Sequence, residues 1–161
     1  MAVKDLSKKP YIEDIDENIF IGLDLPIRRS DGSEGYFAST STTIEAVKNN
    51  IRNLLNTNQG ERLMNPTLGL DLKKYLFEQI TQEVIIDIED KIHDTFRFWL
   101  PFVDIRKIRV MVTPTDGDVG VNSITINILF SINRDPNTLD SVRIILNSNG
   151  ESNDTTNTSG I

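Results

Sequence analysis

The chain has 161 residues, enough for one domain with a substantial core, and 38% of them are apolar. Its net charge is −7, which argues against a nucleic-acid surface: phosphate binding needs clustered Lys and Arg on one face, and here Arg28-Arg29 is the only arginine pair. With no cysteine, disulfides, thiolate metal sites and thiol nucleophiles are excluded.

Residues 1–17 are polar and mixed in charge, and predict an arm. Ile19, Ile21, Leu23 and Leu25 then alternate with Phe20, Gly22 and Asp24, the period of a strand. Ser30-Asp31-Gly32-Ser33 is a turn signal. Residues 37–43 lead into a helix at Thr42, which with Glu45 forms a capping box. Ile44, Val47, Ile51, Leu54 and Leu55 fall on one face of that helix, and Gly60 is placed to end it. A loop containing Pro66 follows, then a short helix over residues 70–78 with Leu72, Tyr75 and Leu76 inward. Thr81 caps a longer helix whose apolar face is Ile85, Ile88, Ile92, Phe96 and Trp99. It stops at Leu100, because Pro101 disfavours helical geometry in the residue before it.

The last third changes period. Ile108, Val110 and Val112 alternate with Arg109 and Met111. Ile124, Ile126, Ile128, Phe130 and Ile132 keep the same period, and then Val142, Ile144 and Leu146. Asp116-Gly117-Asp118 and Asp135-Pro136-Asn137 separate the three runs, which predict an antiparallel meander with one buried face. Ser123, Thr125, Asn127 and Ser131 suit a half-solvated opposite face. Residues 147–161 are too polar to offset their ordering entropy and predict a disordered tail. The expectation is an α+β fold over residues 18–146, with helices packed on one face of a mainly antiparallel sheet. No apolar run approaches the roughly 20 residues that span a bilayer, and the N-terminal residues do not read as a signal peptide. A soluble protein made in a cytoplasm is expected, with no membrane partner.

For chemistry the sequence offers little. Glu61, Asp71 and Glu78 share one loop–helix unit and could be proposed as a glycosidase carboxyl pair, but 24 acids in the chain make such groupings common. His93, the one histidine, reads as a surface or boundary residue. No nucleophile elbow, phosphate loop or metal-ligand cluster is present in the sequence, so no catalytic residue, metal or cofactor is expected.

The informative segment is Gly60-Glu61-Arg62, the apolar pair Leu63-Met64, then Asn65-Pro66-Thr67-Leu68-Gly69 and Leu72. With Leu76-Phe77-Glu78 before the long helix, it resembles the signature of the phage contractile-tail baseplate wedge family, which carries the label "lysozyme-like" and extends to type VI secretion baseplates. The resemblance covers residues 37–146. It implies a structural piece, resembling the inner domain of tail sheath proteins, that joins the wedge core to the sheath and starts sheath polymerisation. The implied mechanism is β-augmentation, in which an open sheet edge takes an arm of a neighbouring chain. The implied partners are other wedge proteins and the sheath subunit, in multiple copies set by baseplate symmetry, in the virion after assembly in the host cytoplasm. The alternative that the label suggests is a baseplate peptidoglycan hydrolase.

The interaction residues expected on this ground are Gly60, Glu61, Arg62, Pro66 and Gly69 in the loop, with Trp99, Leu100, Pro101 and Phe102 at the helix end. Many family members carry Glu-Pro-Arg there, where it helps attach the wedge core. Leu100-Pro101-Phe102 keeps the proline and loses both charges. The apolar knuckle of Trp99, Leu100, Phe102 and Val103 reads either as core packing or as a hydrophobic docking point.

Overall fold

Period-two alternation in the last third builds the sheet, and 3.6-residue periodicity builds the α-helices. The computed structural model describes residues 20–24, 27–30, 36–79, 81–114, 122–133 and 135–147. The expected arm (1–17) and the tail beyond Asn147 lie outside the described residues, as do Ile19, Leu25, Asp31-Gly32-Ser33 and Asp116-Gly117-Asp118. The chain divides into two units, Met1–Asn50 and Ile51–Ile161.

In the first unit, β1 (Gly22–Leu23) pairs antiparallel with β2 (Ser39–Thr40), Gly22 facing Thr40. This strand is shorter than the alternation of residues 19–25 predicts. Its partner comes from the stretch read as a lead-in to the helix, not from the C-terminal meander. The Asn49 amide donates to the Leu23 carbonyl at 3.2 Å, tying the helix that follows to β1.

That helix, α1 (Thr43–Asn56), starts where the capping pattern places it: the Glu45 N–H donates to Thr42 Oγ1 at 3.4 Å. The division between units falls within it. Val47, Ile51, Leu54 and Leu55 are buried.

In the second unit, Leu72–Phe77 is a 3-10 helix rather than an α-helix, and it buries the three side chains the sequence marks, Leu72, Tyr75 and Leu76. Then α2 (Gln82–Trp99) is capped by Thr81, whose hydroxyl accepts the Val84 N–H, and buries Ile88, Ile92 and Phe96. The meander follows as β3 (Val103–Pro114), β4 (Asn122–Ile132) and β5 (Asp135–Leu146), antiparallel in the order β3-β4-β5. The 3-10 helix and α2 pack on this sheet. Ile124, Ile126, Ile128 and Phe130 of β4, with Val142, Ile144 and Leu146 of β5 and Val103 of β3, form the sheet's side of the core. Each such side chain contributes roughly 1.5–3 kcal/mol on burial.

Two irregularities matter below. Ile105 faces Phe130 and Lys107 faces Leu129, so Arg106 is an extra residue in β3. Ser131 faces Leu139 while Ile132 faces Asp135, so the chain reverses before Asp135. The Asp135-Pro136-Asn137 segment, read as the turn, is part of an irregular β5 instead. A proline is tolerated there because β5 is an outer strand of the sheet, with no ladder to feed on one side.

Candidate interaction surfaces

The loop after α1 is built by its own polar groups. The Gly60 N–H donates to the Pro66 carbonyl at 2.7 Å, and the Leu70 N–H to the Thr57 carbonyl at 2.9 Å. Gly69 has φ +112°, and a Cβ there would stand 2.2 Å from that same Thr57 carbonyl oxygen. Only glycine lets the two backbone segments cross this closely. Gly60 also takes positive φ, +83°, but in open space.

The charged residues of the loop are turned to the same task. The Glu61 carboxylate accepts the Asn58 N–H at 2.9 Å, and the Asp71 carboxylate accepts the Gln59 N–H at 3.0 Å. Both stand at the C-terminal end of α1. The Arg62 guanidinium donates to the Asn53 side-chain carbonyl at 2.9 Å, so it fixes the loop to the helix. Of the three carboxyls that could be proposed for catalysis, two therefore hold the loop, and all three are exposed.

What this frame presents outward is Leu63 and Met64, 96% and 94% exposed. The sequence pattern contains this apolar pair, but nothing in a pattern says which way loop side chains point.

At the other end of α2, Leu100 and Val103 are buried, while Pro101 and Phe102 are exposed and Trp99 is half-buried. Phe98, which sequence reasoning passed over, is 74% exposed and stacks edge-on against Trp99 at 5.0 Å. The turn between β4 and β5 holds this knuckle in place. The Asn133 N–H donates to the Phe102 carbonyl at 3.0 Å, and its side-chain amide to the Pro101 carbonyl at 3.3 Å. The knuckle divides by residue: Leu100 and Val103 pack into the core, and Phe102, with the neighbouring Phe98, faces out.

A third feature is main-chain. Among the described residues nothing pairs with the outer side of β3 or of β5. On β5 the Ser141 N–H donates to the adjoining Asp140 carboxylate at 2.7 Å.

Between the 3-10 helix and α2, the Tyr75 hydroxyl donates to Asp87 and accepts from Lys91, and Lys91 also reaches Asp87 at 2.9 Å. Burial, and then the bond to Asp87, raise the Tyr75 phenol above its ordinary value. The Tyr75 and Lys91 bonds lower Asp87, and the Tyr75 and Asp87 bonds raise Lys91. This cluster joins the 3-10 helix to α2, with Tyr75 buried and Asp87 exposed.

Comparison with known proteins gives one family and a consistent fold. The family described as baseplate wedge protein gp25 matches residues 41–137. The baseplate wedge protein gp25 of Enterobacteria phage T4 is 28% identical over 108 residues, 67% of this chain and 78% of that protein. Among solved structures, one described as a tail lysozyme of Geobacter sulfurreducens is similar with a TM-score of 0.54 and 24% identity, over 67% of this chain and 93% of that chain. A chain of the anti-feeding prophage baseplate is similar with a TM-score of 0.56 and 22% identity, over 69% of this chain and 83% of that chain. At these identities the two structures support the fold alone.

Proposed function

We propose that this chain, which belongs to the baseplate wedge protein gp25 family, joins the wedge core to the sheath and templates sheath polymerisation by strand addition. The chain is a structural protein of a contractile-tail baseplate, and the proposal concerns what it does there. The observation that carries it is β5, the last strand of the sheet and an outer one. An outer strand offers a row of N–H and C=O groups to any extended chain laid beside it. The Ser141 N–H, taken up by Asp140, marks the donors on that outer side, and strand alternation places the Ile145 N–H with them. In this reading the exposed pair Leu63-Met64 and the knuckle of Phe98 and Phe102 are apolar anchors for wedge partners. Multiple copies follow the symmetry of the baseplate, and the chain waits in the host cytoplasm before joining the virion tail.

The test is Ile145→Pro. Its side chain is only half-buried, and an outward-facing N–H can be lost without breaking the β4 ladder. Ile144→Pro would instead damage the core, since Ile144 is buried. With the Ile145→Pro fold verified by circular dichroism, baseplates form and retain the chain, but sheath does not grow on them. Normal sheath on baseplates that contain the folded variant removes the edge mechanism and leaves a wedge spacer.

The second reading is a peptidoglycan hydrolase, the activity that the family's "lysozyme-like" label suggests. Against it, Glu61 and Asp71 are exposed and committed to loop N–H groups, whereas a glycosidase needs two carboxyls free to flank the scissile bond. Turbidity clearing of peptidoglycan by the purified chain, lost in Glu61→Gln or Glu78→Gln, would establish the hydrolase.

A further inference from the structure

The register of the sheet collects basic residues that are scattered in the sequence. Inward side chains of β4 are the even-numbered ones, so the odd-numbered Ser123, Thr125, Asn127 and Leu129 face out. Opposite them on β3 stand Lys107, Arg109, Met111 and Thr113, and on β5 Ser141, Arg143 and Ile145. Asn127 is thus flanked by Arg109 on one strand and Arg143 on the other, their backbones about 10 Å apart across two strand spacings, and Lys107 lies about 7 Å along β3 from Arg109. All three cations are exposed.

The chain as a whole carries −7 with 24 acids, yet residues 107–113, 123–129 and 141–145 contain none. Among the described residues no carboxylate ion-pairs with Lys107, Arg109 or Arg143. The neighbouring Arg106, placed by the extra residue of β3, is taken by Asp104 at 3.2 Å and by Ser131 Oγ at 3.1 Å. Three like charges on one face repel one another unless a counter-charge covers them. Around them the face is neutral and mixed: Met111 is 50% exposed, Leu129 and Ile145 are half-buried, and Thr113, Ser123, Thr125, Asn127 and Ser141 are polar without charge. Two arginines and a methionine with no carboxylate among them follow the trend of surfaces where proteins meet, where Arg and Met are enriched and Asp and Glu depleted.

We propose that this outer sheet face is a docking surface, distinct from the β5 edge, and that its occupant is a carboxylate-bearing surface of a different baseplate protein. Charge complementarity selects a carboxylate partner. A second copy carries the same −7, so long-range repulsion opposes it. A nucleic acid is a continuous polyanion and meets that same repulsion along its length. A protein patch with a few carboxylates among neutral side chains fits the cations and the neutral residues around them. The inference rests on the wedge reading only for where the partner is found.

Carbodiimide coupling of purified baseplates tests it, because the reagent joins a lysine amine to a carboxylate only at ion-pair contact. The expected product, by mass spectrometry, is a Lys107 peptide joined to an Asp or Glu peptide of another chain. The triple variant Lys107→Gln, Arg109→Gln, Arg143→Gln, folded by circular dichroism, is expected to be retained in baseplates at least tenfold less than wild type. Retention of the wild type should fall as salt rises, and retention of the variant should be nearly independent of salt. Coupling of Lys107 only to this chain's own carboxylates, or to those of a second copy, overturns the proposal. So does retention of the variant equal to wild type, and so does coupling of the face to nucleic acid in a binding assay with tail DNA. If baseplates do not retain even the wild-type chain, it is the wedge reading that fails, and the β5 variant reports separately through sheath growth.

Discussion

Gly69 shows how one residue decides whether the loop exists. Its φ of +112° lies where side chains are rarely found, and a methyl group would overlap the Thr57 carbonyl oxygen at 2.2 Å. That oxygen already accepts the Leu70 N–H, so it cannot move without breaking the crossing that closes the loop. Gly69→Ala is therefore expected to cost about 3 kcal/mol, combining backbone strain of about 1–3 kcal/mol with the clash. Gly60→Ala, at φ +83° in open space, should cost only about 1 kcal/mol. Urea unfolding of the two variants checks the difference; equal losses would mean the Thr57 contact relaxes freely. The sequence marked both glycines alike, as parts of one motif. It could not rank them, because the difference lies in a backbone segment twelve residues earlier that only the folded loop brings near.

At the scale of elements, the pieces with long, uninterrupted periods were legible and the pieces set by pairing were not. Both α-helices begin at the caps their threonines announce. The inward faces of the helices and of β4 follow the expected period, except that Ile44, Ile85 and Trp99 are only half-buried and Ser131, expected on the solvated face, is buried beside the irregular end of β4. The partner of β1, the extra residue in β3 and the start of β5 at Asp135 depend on which strands meet, and no local period encodes that. The link between the 3-10 helix and α2 was equally hidden, because Tyr75, Asp87 and Lys91 come together only through packing. Tyr75→Phe keeps the ring and removes both hydroxyl bonds, at an expected cost of about 1–2 kcal/mol near neutral pH. Tyr75 and Lys91 are raised above their ordinary 10.0 and 10.5, so their contribution is complete below those values and is lost as pH rises through the folded values. Asp87 is lowered below 3.8, so its contribution is present above that value and is lost as pH falls. The advantage of wild type over Tyr75→Phe should be flat from about pH 5 to 9 and shrink above about pH 10 and below about pH 4. A difference in urea midpoint that stays constant to pH 11 would show that the phenol does not link to stability.

At the scale of the whole molecule, the surfaces proposed for partners are made of exposed side chains and not of those that hold the chain together. Composition pointed away from nucleic acid and the motif pointed to the family, but exposure is a property of the fold, and that is why Phe98, Leu63 and Met64 were not picked out while Leu100 was. The helix-end knuckle offers the sharpest test of this division. Phe98 is 74% exposed and Phe102 42%, so replacing both with Ser removes little buried area. The expected loss of stability is about 1 kcal/mol or less, since exposed substitutions away from packed contacts usually change stability by about 0.5 kcal/mol each. Leu100 is buried, and Leu100→Ala should cost about 2–5 kcal/mol by leaving a cavity beneath the knuckle. If Phe98 and Phe102 anchor a wedge partner, the double Ser variant melts nearly as wild type yet is poorly retained in baseplates. Because the anchor is apolar, that defect should persist at high salt, whereas the defect of the basic sheet face should not grow once salt has screened the charges. Thermal unfolding and quantitative recovery from purified baseplates at two salt concentrations give both readings. Normal retention of the folded double Ser variant would assign the two rings to plain surface and leave the attachment to Leu63, Met64 and the sheet.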